Sequence, residues 1–352
     1  MNKYIKGRGA QINPNNPFEA TVRDINPLIR FDADEEINIK TRVVETTAKT
    51  IVNKVVSPDV GLEYSLNPYQ GCEHGCVYCY ARNTHTYWGY SAGLDFETTI
   101  LVKSNAQELL EKKLRSRNWE AAPIMLSGNT DCYQPVEKKY EITRSLLKTF
   151  WDYKHPVGIV TKNSLILRDL DLLKKLASCN LVSVAISINT LDDKIRQLME
   201  PRASSIQKRL KLVKSLSDAG IPVTVLAAPI IPGLTDHDIL PLVKKVASLG
   251  ARRIANIVVR LNGDIESIFT DWVKTNYPDR STKILNKIKS LHGGQVNDSR
   301  FGLRMTGEGV IADIINQQFD VARRLYCIKG GRHEYNRSMF TGDKNPQLRL
   351  FA

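Results

Sequence analysis

The sequence predicts an α/β fold, a partial (βα)6 barrel of parallel strands with an irregular arm before it and a helical extension after it. Three observations predict this class. Short β-rich runs alternate about six times with segments of helical periodicity. The strands are apolar almost without interruption, as in sheets covered on both faces. No G-x-G-x-x-G follows any strand, which favours a curved barrel over a doubly wound sheet. A chain of 352 residues, 42% hydrophobic and 25% charged, can bury such a core.

Residues 1–60 read as a polar, irregular arm. Gly7, Gly9, Pro14 and Pro17 interrupt any pattern, and Asn13, Asn15 and Asn16 favour turns. The barrel is expected over residues 61–260. Its strands are predicted at 63–69, 123–128, 157–162, 181–188, 223–231 and 254–259. Helical periodicity fills 105–116, 140–153, 168–178, 205–220 and 237–250, and the last two end in glycine, a good helix stop. Residues 261–340 predict a helical extension around the glycine-bearing loop GGQVNDSRFGLRMTGEG, and 341–352 a flexible tail. No apolar run is long enough to span a bilayer, and the start lacks the apolar stretch of a signal peptide. A cytoplasmic setting is the expectation, where clustered cysteines favour a metal site over disulfides.

The chemistry concentrates in GCEHGCVYCYA, residues 71–81, with Cys72, Cys76 and Cys79 in a loop after the first strand. Gly71 and Gly75 let the backbone turn so that three sulfurs can converge. Three soft thiolates suit a [4Fe–4S] cluster with one iron left for a non-protein ligand. The alternative is a structural zinc site completed by His74 or by Cys132.

Cys-x-x-x-Cys-x-x-Cys with aromatic Tyr78 before its last cysteine, after a barrel's first strand, resembles the signature of the radical S-adenosylmethionine (SAM) superfamily. The resemblance implies a [4Fe–4S] cluster whose open iron is chelated by SAM. Reductive cleavage of SAM then yields a 5′-deoxyadenosyl radical that abstracts hydrogen from substrate. It also implies a one-electron donor of flavodoxin or ferredoxin type. By the same resemblance, the strand ends carry the SAM contacts. Gly128, Asn129, Thr130 and Asp131 follow strand two, where the superfamily has a glycine-rich segment, although only Gly128 stands for the usual glycine pair. Lys162 ends strand three, Ser187 and Asn189 end strand four, Ile231 ends strand five, and Arg202 offers a fork to a carboxylate.

Further stretches resemble a narrower group of spore-photoproduct-lyase-related, DNA-repair-photolyase-like proteins: KGRGAQINPNNPFE, YARNTHTYWGY, LDFETTILVK, NTDCYQPVE, EPRA, APIIPGLTD and DSRFGLRMTGEG. This implies a damaged or modified base in DNA as substrate and a lyase-type reaction. The group's hydrogen-donor cysteine precedes a Ser-Asp pair, whereas here Cys132 follows Thr130-Asp131, so Cys132 is not placed as donor. Cys132, Cys179 and Cys327 read most simply as small buried hydrophobes. The net charge of +13 fits a nucleic-acid partner or a merely solvated basic surface. Tyr80, Tyr87, Trp88, Tyr90 and Tyr133 either stack on a base or shield the cluster. Two other functions stay open, a radical SAM enzyme with a non-nucleic-acid substrate and a non-catalytic metal-containing nucleic-acid binder. In the tail, Gln347, Leu348, Leu350 and Phe351 resemble the peptide by which bacterial repair proteins dock on the DNA sliding clamp. The alternative is a terminus tucked back onto the barrel.

Overall fold

A computed structural model describes residues 5–18, 39–326, 328 and 330–342. The clamp-like peptide at 347–351 and Cys327 lie outside these residues. Ten strands occur among them: β1 (Arg42–Thr46), β2 (Val52–Lys54), β3 (Tyr64–Leu66), β4 (Tyr69–Gln70), β5 (Thr99–Lys103), β6 (Ile124–Leu126), β7 (Val157–Thr161), β8 (Val182–Ser187), β9 (Val223–Ile230) and β10 (Arg253–Val258). Seven form one sheet in the order β10-β9-β8-β7-β6-β3-β2, and β1-β5-β4 form a second. From β3 to β10 every neighbouring pair is parallel, and β2 closes one edge antiparallel to β3. The six parallel strands are those expected, with helices at Ala106–Leu114, Ile142–Asp152, Leu170–Ser178, Ile206–Asp218 and Ile239–Ser248 in the connections.

Strand register separates two faces. Leu66, Leu126, Ile159, Val184 and Val223 lie in one row and are buried in the main core with the helices. The adjacent rows on the other face hold Ser65, Met125, Gly158 and Ser183, then Val160, Ala185, Thr224 and Arg253. The outward row is thus wholly aliphatic, while the inward rows mix small, polar and a few larger side chains such as Met125 and Arg253. That arrangement leaves a chamber inside the curved sheet.

The structure departs from the sequence reading at three places. The expected first strand, 63–69, is two strands in different sheets. Pro68 has no N–H for a ladder, so the chain leaves β3 there and pairs with β5 through β4. The arm carries β1 and β2, and β1 runs parallel to the unexpected β5. The extension holds helices Ile265–Asn276, Ser281–Ser290 and Val310–Leu325, but residues 330–342 are not helical. They run beneath the barrel instead. The Tyr335 hydroxyl lies 2.6 Å from Ser183 Oγ, Asn180 Nδ2 donates to the Glu334 carbonyl at 2.7 Å, and Thr341 N donates to Tyr153 O at 3.0 Å. Tyr335 is thereby the floor of the chamber.

Candidate functional site

The cysteine loop starts directly after β4, at the end of the barrel where the parallel strands finish. Gly71 and Gly75 both take positive φ, 78° and 67°. A Cβ would sit 2.6 Å from Thr99 O at Gly71 and 2.6 Å from Glu97 Oε2 at Gly75, so conformation and space both demand glycine. Cys72 and Cys76 are buried, and Cys79 is half-buried. Burial pushes the Cys72 thiol well up and the Cys76 thiol to about 12, with Lys162 working against the rise at Cys76. Iron, which binds thiolate, has to displace those protons.

Beneath the loop lies a buried ion pair that sequence reading missed. Arg82 and Glu97 are both fully buried and bonded to each other. Arg82 also donates to the carbonyls of Cys76 at 2.8 Å and Gly93 at 2.8 Å. Glu97 accepts from Gly9 N at 2.9 Å and Ala10 N at 2.8 Å. The arm segment around KGRGAQ is therefore a wall of the site. A Cβ at Gly9 would come within 1.9 Å of the Gly75 carbonyl oxygen. The signal available in the sequence was two glycines flanking Arg8, a sign of close backbone approach.

A second buried group joins the loop to the barrel. Tyr78 donates to Glu200, and Glu200 pairs with Arg209, both of which are buried. Arg209 in turn donates to Ser187 O at 3.0 Å. Burial works against the Lys162 ammonium, but Cys76, Glu200 and Cys79 outweigh it and hold its pKa above the usual lysine value. A fixed positive charge thus faces the cysteine pair. Glu200 opens the EPRA stretch, but its pairing with Arg209 was absent from the sequence expectation, because two residues nine apart carry no spacing signal.

The strand-end residues divide into braces and open groups. Asn129 N donates to Asn67 Oδ1 at 2.7 Å, the Thr130 hydroxyl donates to Tyr69 O at 2.6 Å, and Tyr80 donates to Gly128 O. Gly128 packs closely on Ser65, and the positive φ of the turn falls on Ser127 at 68°. Asp131 accepts from Thr161, Lys162 N and Tyr133 N at 2.8, 2.8 and 2.9 Å, and its Oδ2 lies 3.3 Å from His74 Nδ1. Burial opposes its charge, but His74 and those backbone groups hold its pKa at about 2. Arg202 sits 3.4 Å from Glu73, and Ile231 is buried in one cluster with Cys76, Val77 and Tyr78. Ser187 is buried at the end of β8. Asn189 is 1% exposed, and neither its Oδ1 nor its Nδ2 has a partner among the described residues. A buried amide left unpaired by the protein calls for a partner, and this one lies just beyond β8.

Neither proposed fourth zinc ligand is free for that role. His74 is committed to Asp131 and, at 3.3 Å, to Asn163, while Cys132 is fully buried in the main core. Among the described residues no three His, Cys, Asp or Glu side chains close on a single ion. Three thiols on a glycine-shaped loop, a lysine charge beside them and an orphaned amide suit a cluster with a cofactor above it. Cys72, Cys76 and Cys79 would hold the cluster, and Lys162, Ser187 and Asn189 would face the cofactor.

Fold and site together define a radical SAM protein. The family model described as Radical SAM superfamily matches residues 66–246, and the chain belongs to that superfamily. Its members use a [4Fe–4S] cluster and SAM, and need a one-electron donor. Bound there, the pair would supply one-electron reductive cleavage of SAM and hydrogen-abstraction chemistry. An uncharacterized protein of Mycobacterium tuberculosis is 32% identical over 238 residues, covering 67% of this chain and 70% of the relative. An uncharacterized protein of Methanocaldococcus jannaschii is 30% identical over 253 residues, 71% and 90% of the two chains. A radical SAM Nalpha-GlyT isomerase of Pseudomonas phage M6 is 29% identical over 191 residues, 53% and 37% of the two. Solved structures of spore photoproduct lyase share the fold. One variant gives a TM-score of 0.59 at 17% identity over 84% of this chain and 82% of that one. A double variant with bound AdoMet and dinucleoside spore photoproduct gives 0.58 at 18%, over 81% and 79%. No helix among the described residues is long and apolar enough to cross a membrane.

Proposed function

We propose that this radical SAM enzyme acts on a nucleobase-bearing substrate, a damaged or modified base in a nucleic acid. The observation that carries the reading is an aromatic ledge formed by the arm and the segment following the cluster loop. Phe18 and Tyr87 stack at 5.1 Å although they are 65% and 75% exposed, and Trp88 is 44% exposed. Exposed stacked rings in a chain of net charge +13 suit unstacked bases. The dinucleoside photoproduct held by spore photoproduct lyase is a substrate of that class. The buried position of Cys132 argues against a lyase reaction that draws its hydrogen from this thiol. A flavodoxin- or ferredoxin-type donor supplies the electron in this reading. Docking of the 347–351 peptide on a bacterial sliding clamp is a separate proposal, tested by titrating a 343–352 peptide against the clamp.

The test is binding of single- and double-stranded DNA across a salt series, followed by product analysis with lesion-bearing oligonucleotides and the reconstituted enzyme. Tight binding that weakens steeply with salt is the expected outcome. A weak response that salt does not change removes the reading, while SAM cleavage would still place the chain in its superfamily.

A further inference from the structure

The seven-stranded sheet does not close, and β10 is one of its two edges, with β2 the other. Among the described residues the β10 edge has backbone ties at its two ends, while mid-strand Asn256 bonds Asn316 and Arg323 through its side chain. Gly330 N donates to Arg252 O at 3.2 Å, and Val258 N donates to Met305 O at 3.0 Å. Between these ties lies a cleft of about 380 Å³ that includes Arg253, Asn256, Arg323 and Gly330. Arg253 is on the inward row with Thr224 and Ala185, so it belongs to the chamber wall as well as to the cleft.

The charges there are unbalanced. Arg323 has Asp320 at 2.9 Å and Asn256 Oδ1 at 2.6 Å. Among the described residues Arg332 reaches the Gly61 carbonyl alone, at 3.5 Å. Arg253 has no hydrogen-bond or carboxylate partner among the described residues. Burial, then Arg332 and Arg323, pull its pKa below the usual arginine value. A guanidinium does not escape such a position by losing its proton. At the other end of the strand, half-buried Arg260 repeats the pattern. Burial and Arg304 lower its pKa against the opposing pull of Tyr80 and Asp59, and it too lacks a carboxylate at bonding distance among the described residues. The two arginines are seven residues apart, about 20 Å along an extended chain.

We infer that the open edge of β10 is a phosphate-binding site, with Arg253 and Arg332 receiving a phosphate group from a nucleic-acid backbone that runs along the edge toward Arg260. A phosphate matches the planar fork of arginine, and the cleft has room for it beside a sugar. This deepens the nucleobase reading and rests on it for the source of the phosphate.

The experiment compares wild type, Arg253→Ala, Arg332→Ala and Arg253→Lys, each confirmed folded by an unchanged melting temperature. The probes are a short single-stranded oligodeoxynucleotide, the same sequence with an uncharged methylphosphonate backbone, and inorganic pyrophosphate as competitor. Each alanine variant is expected to weaken oligonucleotide binding about tenfold and to lower the salt slope by about 0.7. Arg253→Lys, which keeps the charge and loses the fork, should fall between. The methylphosphonate strand should not distinguish the variants. Unchanged affinity and slope in both alanine variants overturn the inference. If wild type binds no oligonucleotide, the nucleobase reading fails by itself and pyrophosphate decides the cleft. Pyrophosphate binding that Arg253→Ala abolishes would leave a site for free phosphate, and binding absent or unaltered would remove the site.

Discussion

Replacing Glu97 by alanine tests whether the arm and the cysteine loop are one unit. The carboxylate is fully buried, pairs with Arg82 and accepts two arm N–H groups. Its removal leaves a buried guanidinium facing carbonyls and the Phe96 ring with no carboxylate, a loss of about 3–5 kcal/mol. Each orphaned N–H adds about 1 kcal/mol, partly relieved if the arm lifts away. A net loss of about 5 kcal/mol in a chain of this length lowers the melting temperature by about 7 °C. Calorimetry of anaerobically purified protein measures that shift, and iron content after reconstitution measures the loop, because Arg82 holds the Cys76 carbonyl. Iron should fall well below about four per chain. A double variant, Arg82→Met with Glu97→Met, should be less destabilised than the two single losses combined, since no charge is left unpaired. A Glu97→Ala protein that melts within about 2 °C of wild type and holds its full cluster would refute the reasoning.

Four shorter predictions follow from the same geometry. Gly9→Ala drives a methyl group into the Gly75 carbonyl, so it should cost about 1–3 kcal/mol and lower iron retention; wild-type iron content would detach the arm from the site. Asn189→Leu removes unpaired buried amide atoms, so the ligand-free protein should gain about 1 kcal/mol in melting experiments while SAM binding by calorimetric titration weakens about tenfold; loss of stability with unchanged SAM affinity would contradict this. Asp131 titrates at about 2 in the fold, below the ordinary carboxylate value, so its contribution is present above about pH 4 and is lost as pH falls toward 2. The stability difference between wild type and Asp131→Asn should therefore be constant above about pH 4 and shrink below it, and a difference that grows on acidification would reverse the assignment. Cys132→Ala should leave 5′-deoxyadenosine release intact and cost about 1 kcal/mol by denaturant titration, since the thiol sits in the core; abolished release would give it a role in the chemistry.

The parallel barrel was legible because each strand and helix announces itself locally, through apolar runs and 3.6-residue periodicity. The cysteine triad was legible because its ligands lie within eight residues. What the sequence hid is long-range. The strand at 99–103 looks like one more apolar run, and its neighbour at 42–46 has alternating polar residues that pass for a loop until the two pair. Glu97 binds residues about ninety positions upstream, and Tyr335 meets a strand about 150 positions earlier, distances over which no spacing rule operates. Asn189 was placed by resemblance, but only burial revealed that its amide has no protein partner.

Because the base of the chamber is built from residues 330–336 and not from a barrel strand, its depth is separable from the catalytic frame. Substitution of Tyr335, or a change in the length of the segment that carries it, would deepen or shorten the reaction space while every cysteine and every strand end stayed in place. Relatives with the same cluster loop and a different C-terminal segment would accommodate substrates of different length on one radical-generating machine.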